Sequence, residues 1–242
     1  MSKRSTVRSA MLGLTLVELM IAMLLGLIII GAVGSVFIAN RQSYRLTENL
    51  GRIQENARIG FELMAREIRE AGGTPCGAGL PLANVVNGAA GSWWGDLGVR
   101  GFEDGQVFPV AAVGVAAGNR AAGTDAIHLS SGVGTGVSVV SHVVTAASFE
   151  LSTVNHGLSD GDIVMVCDFQ QASIFQVTNA QPGINDTVVH NTGAAGVNPG
   201  NCTKGLGVPV ECTTNGNPKQ YLQNSSMVRY VASGWYVGCN GR

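Results

Sequence analysis

No proline occurs before Pro75 and no cysteine before Cys76 in this 242-residue chain. Nothing in that whole stretch therefore forces a break in a helix. Charge is scarce too: across 14–39, Glu18 is the only ionised side chain in 26 positions. The chain has no CxxC pair and no His–Cys cluster at zinc-site spacing, which argues against a structural metal. Its four histidines, His128, His142, His156 and His190, are scattered and belong to no recognisable nucleophile or metal motif. A net charge of −1 gives no bulk attraction to nucleic acid.

The residues present divide the chain in two. Residues 1–71 carry nine Lys/Arg against six Asp/Glu, and 72–242 carry six against ten. The first part is rich in Leu, Ile, Met, Arg and Glu, which favour helices. The second is rich in Gly, Val, Ala, Thr, Ser and Asn, which favour strands and turns. A helical stem followed by a β-rich head is the expected layout.

Lys3, Arg4 and Arg8 precede the apolar run with no acid among them. As a helix the 26 positions would extend roughly 39 Å, enough to cross a hydrocarbon core of about 30 Å with some tilt. The basic flank assigns the N-terminus to the cytoplasm, and all that follows the span to the far side. Beyond it, Leu46, Leu50, Ile53, Ala57, Phe61, Met64, Ile68 and Ala71 recur at spacings of three and four. That period marks one face of a continuing amphipathic helix, expected to pack on the head. Opposite charges recur at helical spacing in Glu48–Arg52, Glu55–Arg58 and Glu62–Arg66. Gly72-Gly73-Thr74-Pro75 is the stop.

In the head, strands are expected at 126–131, 137–144, 148–153, 161–168 and 173–180, with a strand pair at 225–238 around Ser233-Gly234. The stretch 181–220 reads as an elaborated loop. An antiparallel sheet laid on the second half of the stem would bury both apolar faces. All five cysteines (Cys76, Cys167, Cys202, Cys212, Cys239) lie here. Behind a membrane segment they point to disulfides in an oxidising compartment, with buried free thiols the alternative. Cys202 and Cys212 enclose nine residues and form a candidate loop. Such a bond would restrict the unfolded chain by about 2–3 kcal/mol. Cys76, Cys167 and Cys239 are not assigned. Five is odd, so at least one thiol lacks a partner within the chain, and Cys239 leaves a C-terminal continuation open.

Other motifs have bland readings. Asp160-Gly161-Asp162 lacks the later ligands of a calcium loop and reads as a turn before a strand. The sequons at Asn185, Asn201 and Asn224 arise easily by composition in such a head. Trp93-Trp94 reads as a local core under a loop, with an exposed sticky patch as the alternative.

A basic leader ending in Gly13, then Leu-Thr-Leu-Val-Glu, a long apolar segment and an uninterrupted amphipathic helix resemble the leader and stem of type IV pilins and of the pseudopilins of type II secretion. The resemblance covers roughly 8–40. Leu14 stands where that family usually has Phe, and the apolar half lacks the proline common in major pilins. The head segments 161–180 and 225–238, with the stem ending Met-Ala-Arg-Glu-Ile-Arg-Glu-Ala-Gly-Gly, look like those of PilW-type minor pilins and the related J-type minor pseudopilins.

The resemblance implies an α+β pilin-like fold, a long membrane-spanning then amphipathic N-terminal helix packed on an antiparallel β-rich head. The divisions would be a leader at 1–13, a membrane and filament-core half at 14–40, an amphipathic half at 41–71 and a periplasmic head at 72–242. A prepilin peptidase would cut between Gly13 and Leu14 and methylate the new amine of Leu14. Glu18 would become the fifth mature residue, pairing with the amine of a neighbouring subunit. The implied function is non-enzymatic, without metal or cofactor: a minor pilin that joins other minor pilins and the major pilin to prime pilus assembly. Its residence would be the inner membrane, with the head in the periplasm, and then the pilus. Two alternatives stand beside this: a minor pseudopilin of type II secretion, and a pilus-tip adhesin or ligand-binding subunit. The acidic excess after residue 72 argues against electrostatic DNA capture.

Overall fold

The structure is a computed structural model and describes residues 15–95, 97–193 and 196–241, with the side chain of Thr135 left out. One α-helix, α1 (Leu16–Glu70), precedes nine strands and one short 3-10 turn at Val144–Ala146. The chain forms two compact units, one up to Glu62 and one from Leu63 onward.

In the first unit α1 begins after Thr15, whose Oγ1 accepts the Glu18 backbone N–H at 3.3 Å. Thr15 is thus an N-cap that satisfies one of the orphan donors of the first turn. From Leu16 the helix runs for 55 residues, about 82 Å. It is the one helix among the described residues long and apolar enough to cross a membrane. The exposed charges pair as Glu48–Arg52 and Arg58–Glu62 at 2.7 and 3.0 Å, and in the second unit Arg66 pairs with Glu70 at 3.2 Å. The observed pairs are all four apart, so Glu62 takes Arg58 rather than Arg66. The stripe residues Leu46, Leu50, Ile53 and Phe61 are exposed, and no residue of α1 is buried. Further along the same stripe, in the second unit, Met64 and Ala71 are half-buried.

In the second unit the last turns of α1 lead into Gly72, whose φ of +74° is the left-handed cap a glycine supplies. Gly72 N–H then donates to Ser130 C=O at 2.8 Å, and Gly132 N–H to Gly73 C=O at 3.0 Å. The strands are β1 (Leu82–Asn84), β2 (Gly98–Phe102), β3 (Ala126–Val143), β4 (Ser148–Leu151), β5 (Ile163–Cys167), β6 (Ala172–Gln176), β7 (Asn179–Ala180), β8 (Thr187–Val189) and β9 (Ser226–Tyr236). They form one sheet in the order β1-β6-β5-β9-β3-β4-β8-β7, with β2 also on β3. β1 pairs with β6 in parallel, and every other named pairing is antiparallel. The sheet is thus mixed rather than wholly antiparallel.

The two strands expected at 126–131 and 137–144 are one 18-residue strand, β3. Its pairing with β9 shifts register between Gly134 and Val137, an irregularity of the kind that bends a strand. The strand pair expected around Ser233-Gly234 is likewise one strand, β9. Gly234 is not a turn. A Cβ there would stand 2.8 Å from Phe108 Cζ and 3.0 Å from Val110 Cγ2, so the glycine marks a close approach. The loop expected at 181–220 holds β8.

Both faces of the central strands are covered. Val164, Val166 and Phe175 enter one cluster with Phe149, Leu206 and Tyr221. Ile163, Met165 and Ile174 enter another with Val228 and Tyr230. Strands buried on both sides read as continuous apolar runs, which explains why 163–167 stood out in the sequence.

Candidate functional site

The expected site residues fall in three places. Gly13 and Leu14 lie outside the described residues. Glu18 lies in the first turn of α1, exposed, and its carboxylate has no partner among the described residues. A negative side chain there is favoured by the helix dipole, and Thr15-Leu16-Val17-Glu18 has the spacing of a capping box. That spacing was readable in the sequence and supplies a local reason for an acid at this position. In the apolar stretch that follows, side chains such as Leu16, Leu27 and Ile30 are 70–75% exposed in the single chain.

The cysteines lie in the second unit. Cys202 and Cys212 are bonded, closing the short loop between them. Cys76, just beyond the helix, is bonded to Cys167 at the end of β5, 91 positions away. Neither partner of that bond was assignable from the sequence. Cys239 is free, with Sγ 3.2 Å from Gly114 C=O.

The polar groups buried in the head are joined to one another. Tyr221 N–H donates to His142 Nδ1 at 3.2 Å, so His142 carries its proton on Nε2. That nitrogen lies 3.2 Å from His190 Nε2, which must accept, leaving the His190 proton on Nδ1. Among the described residues no other residue offers His190 Nδ1 a hydrogen-bond partner, and the ring is fully buried. The His142 ring stacks on Phe149 at 3.9 Å, and His190 stands 5.0 Å from Phe175. Burial pushes His142 down to about 4. Burial, then the neighbouring His142 and more weakly Lys204, pushes His190 down to about 3. Both imidazoles are neutral at physiological pH. Nearby, Ser173 Oγ lies 2.6 Å from Tyr221 Oη and donates to Leu206 C=O at 2.7 Å. Burial raises the Tyr221 phenol, opposed by its bonds to Ser173 and Gln171.

These groups do not form a reacting set. Among the described residues Ser173 bonds no histidine, and the two histidines bond each other, so neither imidazole is placed as a base for the Ser173 hydroxyl. Asp168 caps the β5–β6 hairpin, accepting from Gln170 and Gln171 N–H at 2.8 and 2.9 Å and pairing with Lys219 at 2.7 Å. Burial acts to raise its carboxyl, but these bonds outweigh burial and hold it below its ordinary value. Asp160 accepts Ala180 N–H at 2.6 Å and Asp162 accepts Ser159 N–H at 3.0 Å, the work of turn carboxylates. Asn201, one of the three sequon asparagines, is buried and its amide donates to Gln176 and Asn191 carbonyls at 2.8 and 3.2 Å. No group of three His, Cys, Asp or Glu side chains placed to hold a metal occurs among the described residues.

No family model, curated protein or solved structure matches the chain.

Proposed function

We propose that this chain is a PilW-like minor pilin, a non-enzymatic subunit that joins other minor pilins to prime assembly of a type IV pilus. The observation that carries the reading is one unbroken 55-residue helix, apolar over its first half, with a lone acid three residues after its cap. A leader ending in Gly13 precedes it, and a β head with two disulfides follows.

The physical logic joins these parts. A subunit held in a membrane by such a helix must later join a filament whose core is a bundle of apolar stems. Leucine-like side chains pack there with little directional preference, so stagger needs a polar device. Glu18 buried in that bundle would pair with the N-terminal amine of a neighbour. Leaving one partner of a buried pair unmatched costs about 3–5 kcal/mol, which penalises the wrong stagger. Disulfides suit a head exposed to an oxidising compartment.

N-terminal mass spectrometry of the protein from its native membrane tests the class. A methylated Leu14 is expected; an intact Met1, or a cut beyond residue 30, removes the basis of the reading. Glu18→Ala is expected to be cleaved normally and to fail in assembly, and normal pili in that strain would refute the role given to Glu18.

A further inference from the structure

A cleft of about 440 Å³ in the head plays no part in the assembly reading. Its walls include Trp93, Trp94, Tyr230, Arg229, Asp162 and Asn198. The two tryptophans differ in their roles. Trp94 donates its indole N–H to Asn87 C=O at 3.1 Å and packs against a core cluster. Trp93 stands edge-on to Trp94, with centroids 5.3 Å apart at 88°, and lies 6.0 Å from the Tyr230 ring at 32°. It remains 37% exposed, and its indole N–H has no acceptor among the described residues. An aromatic surface with an unspent donor therefore forms part of the cleft.

The polar side is also only half used. Arg229 Nη2 donates to Gly157 C=O at 2.7 Å and to Asp162 Oδ2 at 2.9 Å. Nε and Nη1 of the same guanidinium have no acceptor among the described residues. Asp162 Oδ2 also takes Ser159 N–H, while Oδ1 has no donor among the described residues. Gln176, by contrast, is spent: its amide donates to Gly161 and Asn198 carbonyls at 2.9 and 3.0 Å and accepts Gly200 N–H at 2.6 Å. It holds the floor and fixes the segment that carries Asn198.

The charges choose the ligand class. Arg229 and Asp162 neutralise each other, so an anion gains little from the guanidinium and a cation little from the carboxylate. A purely apolar ligand would leave the spare donors and acceptor unmet when it displaced water from them. What fits is a neutral molecule with an apolar face and a rim of hydroxyls that both donate and accept. We propose that this cleft binds a neutral pyranoside, with the C–H face of the sugar on Trp93 and adjacent hydroxyls on Arg229 and Asp162. The volume lies in the range of small-molecule sites, about 300–1,000 Å³, and accommodates one or two sugar rings.

The test uses the full chain in lauryldimethylamine oxide, a detergent without a sugar headgroup, titrated with a panel of methyl pyranosides and disaccharides. Saturation-transfer NMR and tryptophan fluorescence report binding. At least one neutral sugar is expected to bind with a dissociation constant of about 1 mM or lower. Trp93→Ala and Arg229→Gln are each expected to weaken it about tenfold or more, with Trp93→Phe losing less. Both side chains are partly exposed, and an unchanged thermal melt verifies that each variant folds. If Trp93→Ala fails that check, Arg229→Gln and Trp93→Phe decide. Silence of the whole panel up to about 10 mM overturns the proposal. So does sugar binding that survives these substitutions, or binding of inorganic phosphate or sulfate in place of the sugars.

Discussion

Acid should unfold the head through His142 and His190, and it should do so at a pH where most carboxylates are still ionised. Both imidazoles have an ordinary value of 6.5, pushed down by burial to about 4 for His142 and about 3 for His190. Between pH 6.5 and about 4 the unfolded chain therefore binds protons that the folded chain refuses. Stability is full above 6.5 and falls as pH drops through this window. Two such groups give a slope of up to about 2.7 kcal/mol per pH unit. Over two units the loss is about 5 kcal/mol, comparable with the whole stability of a typical domain, about 5–15 kcal/mol. Lys204, whose charge also disfavours the His190 cation, is one of the smaller sources of that downward shift.

Urea unfolding of the full chain in detergent, followed by tryptophan fluorescence from pH 7 to about pH 4, measures the slope. His190→Phe provides the control, because Phe149, Phe175 and Tyr221 already surround His142 and His190 with aromatic rings. The variant removes one titrating group and the buried His190 Nδ1–H, at the cost of leaving His142 Nε2–H without its acceptor. Carboxylates titrate alike in both proteins and cancel in the difference. The variant is expected to lose stability about half as steeply between pH 6 and 4.5. Parallel curves for the two proteins would refute the buried neutral pair.

Cys167→Ser opens the bond that spans 91 positions and is expected to remove about 4–5 kcal/mol by loop-closure entropy. Cys212→Ser opens a separation of 10 and should cost only about 3 kcal/mol, so equal losses in urea unfolding would contradict the entropic account. Glu67 accepts Ser233 Oγ–H at 2.5 Å and Trp235 Nε1–H at 2.7 Å; Glu67→Ala should cost about 2–4 kcal/mol and Glu67→Gln less. A loss below about 0.5 kcal/mol in Glu67→Ala would show that these bonds do not anchor the helix end to β9. Gly234→Ala drives a methyl against Phe108 and Val110 and should lower stability by about 1–3 kcal/mol, measured by thermal melting; a neutral effect would mean the strand has room there.

What could be read from the sequence is what local chemistry determines. The absence of proline, the three-and-four spacing and Gly72 bound a helix that runs from Leu16 to Glu70. The apolar runs at 163–167 and 172–176 are strands because both faces are buried. Gly132 and Gly234 fall where the sequence alone predicts a strand end and a turn, yet the cause of each glycine is tertiary. A Cβ at Gly132 would strike Met165 and Val228, neighbours that sequence order does not bring near. The Cys76–Cys167 bond and the His142–His190 pair are hidden for the same reason, since no spacing rule joins residues so far apart along the chain.

Glu18 lies between the two kinds of residue. Its backbone N–H is explained locally by Thr15, and a carboxylate in the first turn is worth a few tenths to about 1 kcal/mol against the helix dipole. Placing the same carboxylate inside a bilayer costs at least about 2.5–3.5 kcal/mol. The local gain is smaller than that cost, and the cap is made by the Thr15 oxygen without the acid side chain. A cap therefore accounts for where the helix starts but not for keeping an acid at the head of an apolar run. Under the proposed function a neighbouring subunit's amine would supply a cation that offsets this cost, and that offset is the physical content of the proposed pairing.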